Sequence, residues 1–215
     1  MLPRSAQVIN YYNKSRFNAA LIVCIAVLAA GCRISERQSD VPYSGEWRNG
    51  DIVFRCGWGA ESKFVTAASH SAYSHVGILF YNEETKEWYV AHAVPTEDEP
   101  EWVKTEPVSI FFSSERARSG AWMRVNCSDS IAEKAAAYAK TKCTGNVLFD
   151  NEYLLNDTTQ LYCTELVWRS YLQAGLDISG GRRHSVPGIF SKERECIFPN
   201  DIEQSETTLF VKHFK

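Results

Sequence analysis

The stretch Gln160-Leu161-Tyr162-Cys163-Thr164-Glu165-Leu166-Val167-Trp168 decides the fold prediction for this chain. It predicts a helix with Cys163 near its first turn, where the helix N-terminus favours a thiolate over a thiol. Apolar residues continue at helical spacing to Gly175, so Cys163 is predicted to face inward, towards a sheet. An alternative cap formed by Asp157 and Gln160 would move Cys163 into the second turn and weaken this effect. A lone inward-facing cysteine is most often a structural residue.

Two histidines on predicted strands precede this helix. Ser74-His75-Val76-Gly77-Ile78 and Val90-Ala91-His92-Ala93 form the arms of a predicted β-hairpin centred near Thr85. Neighbouring strands bring side chains within ~5 Å, so a hydrogen bond from His92 would fix the orientation of the His75 ring. A thiol, a histidine base and an orienting group are typical of nucleophilic cysteine catalysis. Structural histidines within apolar strands remain the alternative.

Other interpretations of these polar residues are also open. Zinc binding by His75, His92 and Cys163 is disfavoured because no Cys-x-x-Cys or His-x-x-x-His pair is present, and we predict neither a metal nor a cofactor. Asp51 either orients a partner or caps a turn. Glu165 is predicted to form a salt bridge or to line the rim of a cleft.

The composition is typical of one globular domain with an N-terminal extension. The chain has 215 residues and a net charge of −3, with 45% hydrophobic and 13% aromatic residues. Acidic residues outnumber basic ones and no long basic run is present, so a nucleic-acid partner is not expected.

Residues 1–31 are predicted to be a lipoprotein signal peptide. Three basic residues precede an apolar core at positions 19–30, which is shorter than the ~20 residues needed to span a bilayer. The core ends in Leu28-Ala29-Ala30-Gly31-Cys32, which resembles a bacterial lipobox. A lipid on Cys32 would tether the protein to a membrane surface. An ordinary signal peptide or a short membrane anchor is the alternative.

Residues 32–48 are predicted to be a polar tether, and residues 49–215 a single domain. Strand patterns at 50–54, 73–81, 88–94 and 121–127 precede two helices, and a further strand pattern follows at 208–211. This order predicts an α+β fold in which helices pack on an antiparallel sheet. We expect a loop at 95–107, a short strand at 108–112, and a helix at 130–142 capped by Ser130 with Glu133 in a capping box.

The cysteine count is informative because an exported protein can form disulfides. Without Cys24 and Cys32, an odd number remains, so at least one thiol is unpaired, and Cys163 is the candidate. The pairing of the other four stays open. The remaining cysteines are Cys56, Cys127, Cys143, Cys163 and Cys196.

Residues 50–211 resemble the YiiX-like group of permuted papain-fold amidases, which are relatives of the NlpC-type cell-wall peptidases. Gly50-Asp51-Ile52-Val53-Phe54 resembles the opening strand, Ser74-His75-Val76-Gly77-Ile78 the histidine motif, and Tyr162-Cys163-Thr164-Glu165-Leu166-Val167 the nucleophile motif. Phe149-Asp150 with Tyr153, and Phe198-Pro199-Asn200-Asp201-Ile202 with Ser205, resemble two further family segments. Many members carry a glutamate where this chain has His92.

The resemblance implies a circularly permuted papain-like fold and a cysteine hydrolase anchored in the bacterial cell envelope. Cys163 would attack an amide carbonyl, His75 would take the thiol proton, and His92 would hold His75. The substrate would be a small amide, such as a peptidoglycan stem peptide or an N-acyl amino acid. A lipid acyltransferase or thioesterase, or a non-catalytic binding lipoprotein, is the alternative. Candidate substrate-binding residues are Tyr73, Tyr162, Asp51 and Trp58.

Overall fold

The structure is a computed structural model that describes residues 46–95, 102–155, 158–186 and 194–214. Within these ranges it contains ten strands and five helices. The predicted signal peptide, Cys32 and residues 32–45 of the predicted tether lie outside these ranges. The strands are β1 Ile52–Cys56, β2 His75–Asn82, β3 Glu87–His92, β4 Lys104–Pro107, β5 Ser119–Val125, β6 Leu148–Phe149, β7 Gln160–Leu161, β8 His184–Val186, β9 Arg194–Cys196 and β10 Thr208–Phe214. The helices are α1 Ala60–Ser69, α2 Val108–Phe111, α3 Asp129–Thr144, α4 Cys163–Gln173 and α5 Pro199–Glu203.

One six-stranded sheet, in the order β10-β5-β1-β2-β3-β4, organises the fold. All of its strand pairs are antiparallel. Two small pairs lie outside it: β6 and β7 are parallel, and β8 and β9 are antiparallel. An antiparallel sheet with packed helices confirms the predicted α+β class. None of the helices described is long and apolar enough to cross a membrane.

The central strands are buried on both faces of the sheet. On one face, Ile52, Phe54 and Ile78 pack with residues of α3 and α4. On the other face, Val53 and Leu79 pack in a second cluster with aromatic residues from α2 and β5. Strands covered on both faces read as continuous apolar runs, which explains the sequence pattern of β1 and β2.

The end of the predicted tether belongs to this second cluster. Trp47 is buried, and its ring makes edge contacts with Trp88 and Trp122 at centroid distances of 5.8 and 6.4 Å. Arg48 donates to the carbonyl oxygen of Val125 at 2.5 Å and pairs with Asp129. The packed domain therefore includes residues that the sequence pattern assigned to the tether.

Helix α3 lies on the sheet through small side chains. Ala132, Ala135 and Ala139 are buried, which allows the helix backbone to approach the strands closely. Its N-cap is Ser128, whose hydroxyl accepts from the Ile131 amide at 3.4 Å, so the predicted cap at Ser130 is wrong. The cap moves because Asp129 already has helical geometry and occupies the first turn, where a negative charge is favourable.

Helix α4 begins at Cys163, with Tyr162 as its N-cap in extended conformation. The prediction of a helix start at the cysteine is therefore confirmed, and the alternative start one turn earlier is not adopted. The helix buries an apolar face that includes Leu166, Val167 and Tyr171, and Gly175 follows it at φ 94, a left-handed conformation that glycine adopts without strain.

The segment after the described residue Pro95 differs from the prediction in two places. Lys104–Pro107, predicted as loop, is β4, and Val108–Phe111, predicted as the start of a strand, is α2. β4 is an edge strand, and edge strands commonly carry charged residues and proline. Its sequence therefore lacks the apolar pattern from which a strand is predicted. Val108, Phe111 and Phe112 are buried at helical i, i+3, i+4 spacing, so these apolar residues form the buried face of a helix.

Gly77 sets the geometry of the histidine hairpin. The register Ile78↔Ala91 places His92 opposite Gly77, so His75 and His92 are diagonal neighbours on one face, as the predicted offset register requires. A Cβ at Gly77 would lie 2.3 Å from Val90 Cγ1 and 3.2 Å from His92 Cβ. The missing side chain therefore lets Val90 and His92 of β3 pack closely against β2.

We predict that Gly77→Ala lowers the free energy of unfolding by about 1 to 3 kcal/mol, because the new methyl group overpacks the sheet. Gly59→Ala is the matched control, since a Cβ there would have no neighbour within 4 Å, and it should change stability by less than about 1 kcal/mol. Chemical denaturation measures both values. Equal effects of the two substitutions would contradict the role assigned to Gly77.

Candidate active site

A cavity of about 750 Å³ opens at one end of the sheet. At this end β2 begins with His75, β3 ends with His92, and α4 begins with Cys163. Both His75 and Cys163 line the cavity. Helix α1 forms one of its walls, and the loop before α5 forms another. The volume is typical of a site for a small ligand.

His75 and His92 are joined by a direct hydrogen bond. Nε2 of His75 lies 2.8 Å from Nδ1 of His92, and the two rings meet edge to face with centroids 5.1 Å apart. His75 is 8% exposed and His92 is fully buried. Phe111 of α2 packs against both rings. The pair is therefore held in one orientation by packing as well as by the bond.

Glu106 of β4 extends this pair, and sequence reasoning missed it. Its Oε1 lies 3.3 Å from Nε2 of His92, a buried nitrogen with no hydrogen bond of good geometry among the described residues. The same carboxylate pairs with Arg55 at 3.4 Å and with Arg116 at 2.6 Å. We refer to His75, His92 and Glu106 as the relay.

The charge state of the relay follows from burial and from the two arginines. Burial lowers the pKa of His75 well below its usual value, and the charge of Arg55 adds to this. Burial also lowers the pKa of His92 to about 4, although Glu106 acts in the opposite direction. For Glu106, burial acts to raise the pKa, but His92, Arg55 and Arg116 together lower it to about 2. Glu106 is therefore ionised and both rings are neutral near pH 7.

An ionised carboxylate can only accept hydrogen bonds, and this determines the tautomers in the relay. Because Oε1 of Glu106 lies 3.3 Å from Nε2 of His92, we assign the His92 proton to Nε2 and the acceptor role to Nδ1. His75 then donates through its Nε2, which leaves Nδ1 of His75 without a proton. The relay thus presents His75 as a neutral imidazole with one nitrogen ready to accept a proton.

Cys163 lies at the first position of α4, partly exposed to the cavity. Burial raises the pKa of the thiol, against the Thr164 hydroxyl and the Val76 and Thr164 backbone amides, which act to lower it. The pKa therefore shifts in the direction opposite to the one predicted from the helix N-terminus. At neutral pH Cys163 is a thiol, and its activation requires a base.

Glu165 forms an ion pair within helix α4, two residues after Cys163. It is fully buried, and its Oε1 accepts from Nε of Arg169 at 2.7 Å, as the predicted salt bridge requires. Burial raises the pKa of Glu165 to about 7, against the charge of Arg169. Arg169 also donates to the Leu155 carbonyl oxygen, which ties α4 to the loop that carries Tyr153. Within that loop, Asp150 accepts from two backbone amides.

The four predicted substrate-binding residues fall into two groups. Trp58 and Tyr162 line the cavity. Tyr73 is buried away from it, packed on Phe54 with its hydroxyl on His213. Asp51 is also buried outside it, and its carboxylate accepts from Trp122 and Arg124. The structure therefore places Asp51 and Tyr73 in buried positions just before β1 and β2, outside the cavity.

The five cysteines in the described ranges are all free thiols, namely Cys56, Cys127, Cys143, Cys163 and Cys196. Within the same ranges, no group of three His, Cys, Asp or Glu side chains is arranged to hold a metal ion. His75 and His92 use the facing nitrogens for each other.

Sequence comparison places this site in a known family. Residues 46–211 match the family described as permuted papain-like amidase enzyme, YaeF/YiiX, C92 family. The chain belongs to this family. Membership confirms the resemblance seen in the motifs and the permuted papain-like fold, and at family level it indicates a cysteine amidase or peptidase.

Two relatives of this amidase family are similar to the chain. The uncharacterized protein YiiX of Escherichia coli strain K12 is 28% identical over 127 residues, which cover 59% of this chain and 58% of that protein. A crystal structure described as metalloprotein yiiX from Escherichia coli O157:H7 has a TM-score of 0.62 at 23% identity, covering 77% of this chain and 96% of that chain. The structural likeness shows a shared fold.

Proposed function

We propose that this protein is a cysteine hydrolase that cleaves a small amide bond with Cys163 as nucleophile and His75 as base. The observation that carries the proposal is the relay, because a buried carboxylate and a buried histidine orient a second histidine that lines the same cavity as a cysteine at a helix N-terminus. A purely structural cysteine requires none of these partners.

In the proposed cycle, Nδ1 of His75 removes the thiol proton as Cys163 Sγ attacks the amide carbonyl. The backbone N–H of Cys163, which has no partner within the helix because of its first position, stabilises the oxyanion. His75 then protonates the leaving amine. Water hydrolyses the thioester with His75 again as base, which restores the thiol.

His92 and Glu106 are positioning residues in this proposal. His92 takes the place of the glutamate that many family members carry, and Glu106 returns a carboxylate one strand further away. When His75 gains a proton, the negative charge of Glu106 stabilises the imidazolium through His92, which is hydrogen-bonded to His75. The permanent charge missing from His92 is thereby supplied from β4.

The proposed location is the bacterial envelope, with a lipid on Cys32 as anchor, and it rests on residues 1–32 of the sequence alone. Stem peptides of peptidoglycan and N-acyl amino acids are the proposed substrate classes. Acyl transfer or thioester hydrolysis on lipids is the second candidate, favoured by the apolar residues of the cavity. Acyl product on an added amine or lysolipid would reveal it.

Cys163→Ala is expected to lower kcat/KM for a cleaved amide by about 10⁵-fold or more, as in other enzymes that lose their nucleophile. Cys127→Ala, which removes another partly buried thiol outside the cavity, is the matched control and should retain activity. Amine release measures both. Full activity of Cys163→Ala would refute the proposal, as would failure of a thiol-reactive probe to label Cys163 selectively in the wild type.

We expect substitutions in the relay to lower kcat/KM less the further the residue lies from the thiol, because more distant residues act on it more indirectly. His75→Ala should lower kcat/KM by about 10⁴-fold and His92→Ala by about 10²-fold. Glu106→Gln, which keeps the shape and removes the charge, should lower it by about tenfold. Steady-state kinetics on folded variants gives the order. Equal losses at His75 and His92 would show that the positioning role is misassigned.

A further inference from the structure

One edge of the six-stranded sheet carries exposed apolar side chains. β10 is an edge strand, and its residues Leu209, Phe210 and Val211 are 49%, 52% and 38% exposed. We call these three residues the edge patch. The opposite edge strand, β4, has the sequence Lys104-Thr105-Glu106-Pro107, whose charged residues and proline are typical of a protected edge. A run of exposed apolar side chains on one edge alone marks an interaction surface.

The edge patch is held outward by the strand that carries it. The Phe210 ring packs on His213 with centroids 4.3 Å apart, and the ring of His213 is hydrogen-bonded to the hydroxyl of the buried Tyr73. Leu209 lies opposite Arg124 of β5 in the sheet. A partner would therefore meet a preformed surface, which lowers the entropy cost of docking.

The polypeptide enters the folded domain beside the edge patch. Nη2 of Arg124, the residue opposite Leu209, donates to the Glu46 carbonyl oxygen at 2.6 Å. Residues 33–45 separate Glu46 from Cys32, the proposed site of lipid attachment. Even fully extended, this segment reaches about 50 Å at most, so the anchor would keep the patch close to the bilayer. Docking then becomes an intramolecular step, for which a small apolar surface suffices.

Pairing with β10 of a second copy is the other use of an exposed edge, and β10 is poorly suited to it. Its register with β5 shifts between Phe210 and Lys212, which marks an irregularity in the strand. Irregularities and lysines on an edge both disfavour the addition of another strand. Lys212 is exposed beside the patch and suits a membrane surface, since its stem covers apolar groups while its ammonium reaches lipid phosphates.

We propose that the edge patch docks on the bilayer that holds the lipid anchor, with Leu209, Phe210 and Val211 inserted at the boundary between headgroups and acyl chains. This inference rests on the anchor in the proposed function and is independent of amide hydrolysis. Cys56 lies opposite Ser119 at the cavity end of the sheet, whereas Leu209 pairs near the other end of β5. Docking through the patch therefore leaves the cavity end uncovered.

Tryptophan fluorescence tests this docking on the lipid-modified protein in vesicles of phosphatidylethanolamine and phosphatidylglycerol with brominated acyl chains. Bromine quenches indole only on contact, so quenching reports insertion. After subtraction of the parent signal, the tryptophan added by Phe210→Trp should be quenched about twofold or more relative to that added by Ile110→Trp. Ile110 is the matched control, because it is apolar and 43% exposed but lies on α2, which packs on β3 and β4 in the other half of the sheet.

A charge placed in the edge patch should remove the effect. Val211→Asp, made in the Phe210→Trp background, should abolish the excess quenching. Leu172→Asp in the same background is the matched control, since Leu172 on α4 is 39% exposed, and it should keep the excess.

Equal quenching at positions 210 and 110, or excess quenching that survives Val211→Asp, would overturn the inference. A dimer in detergent solution that Val211→Asp dissociates and Leu172→Asp does not would also overturn it, because the patch would then bind a second copy. An unmodified Cys32 in the mass of the membrane-extracted protein would overturn both the anchor and the docking. Failure of the proposed hydrolysis would appear separately, as the absence of Cys163-dependent amine release.

Discussion

The buried carboxylate of Glu106 is the constraint on which the arrangement of this site depends. An anion that is 7% exposed is stable only with compensating partners, and it has Arg55, Arg116 and His92. Because the carboxylate remains ionised, the tautomers of His92 and then of His75 follow from it in sequence. The charge of Glu106 on the edge strand β4 thus influences Nδ1 of His75 through the buried rings of His92 and His75.

The sheet makes this arrangement possible. Strands β2 and β3 must place His75 and His92 on one face in a diagonal relation, and Gly77 allows Val90 and His92 to pack closely against β2. The second hydrophobic cluster covers that face, so water does not compete for the hydrogen bond between the rings. The nucleophile helix packs on the other face and reaches the cavity only where the strands end. The site therefore forms where the two hydrophobic clusters meet the end of the sheet.

Most of the fold was predictable from sequence because apolar periodicity and turn residues agree over β1, β2, β3 and the two long helices. The helix start at Cys163 and the offset of His75 and His92 followed from the same patterns. β4 and α2 were not predictable in this way. Lys104 and Glu106 look like solvated loop residues, since an edge strand has no apolar alternation to reveal it. The missed partners Glu106, Arg55 and Arg116 share one cause, because segments that are distant in the sequence bring them together. Many family members carry a glutamate where this chain has His92, and this substitution was the signal that could have prompted a search for a glutamate on a neighbouring strand.

Nitrogen-detected NMR of the histidine tautomers tests the central claim most directly. In protein labelled with ¹⁵N at histidine and held near pH 7, the account predicts that His75 and His92 are both neutral and both protonated on Nε2. Assignment through His75→Gln and His92→Gln variants would identify the two rings. Protonation of His92 on Nδ1, or a positive charge on either ring at this pH, would contradict the account, because Glu106 would then not determine which nitrogen of His75 is free to act as the base.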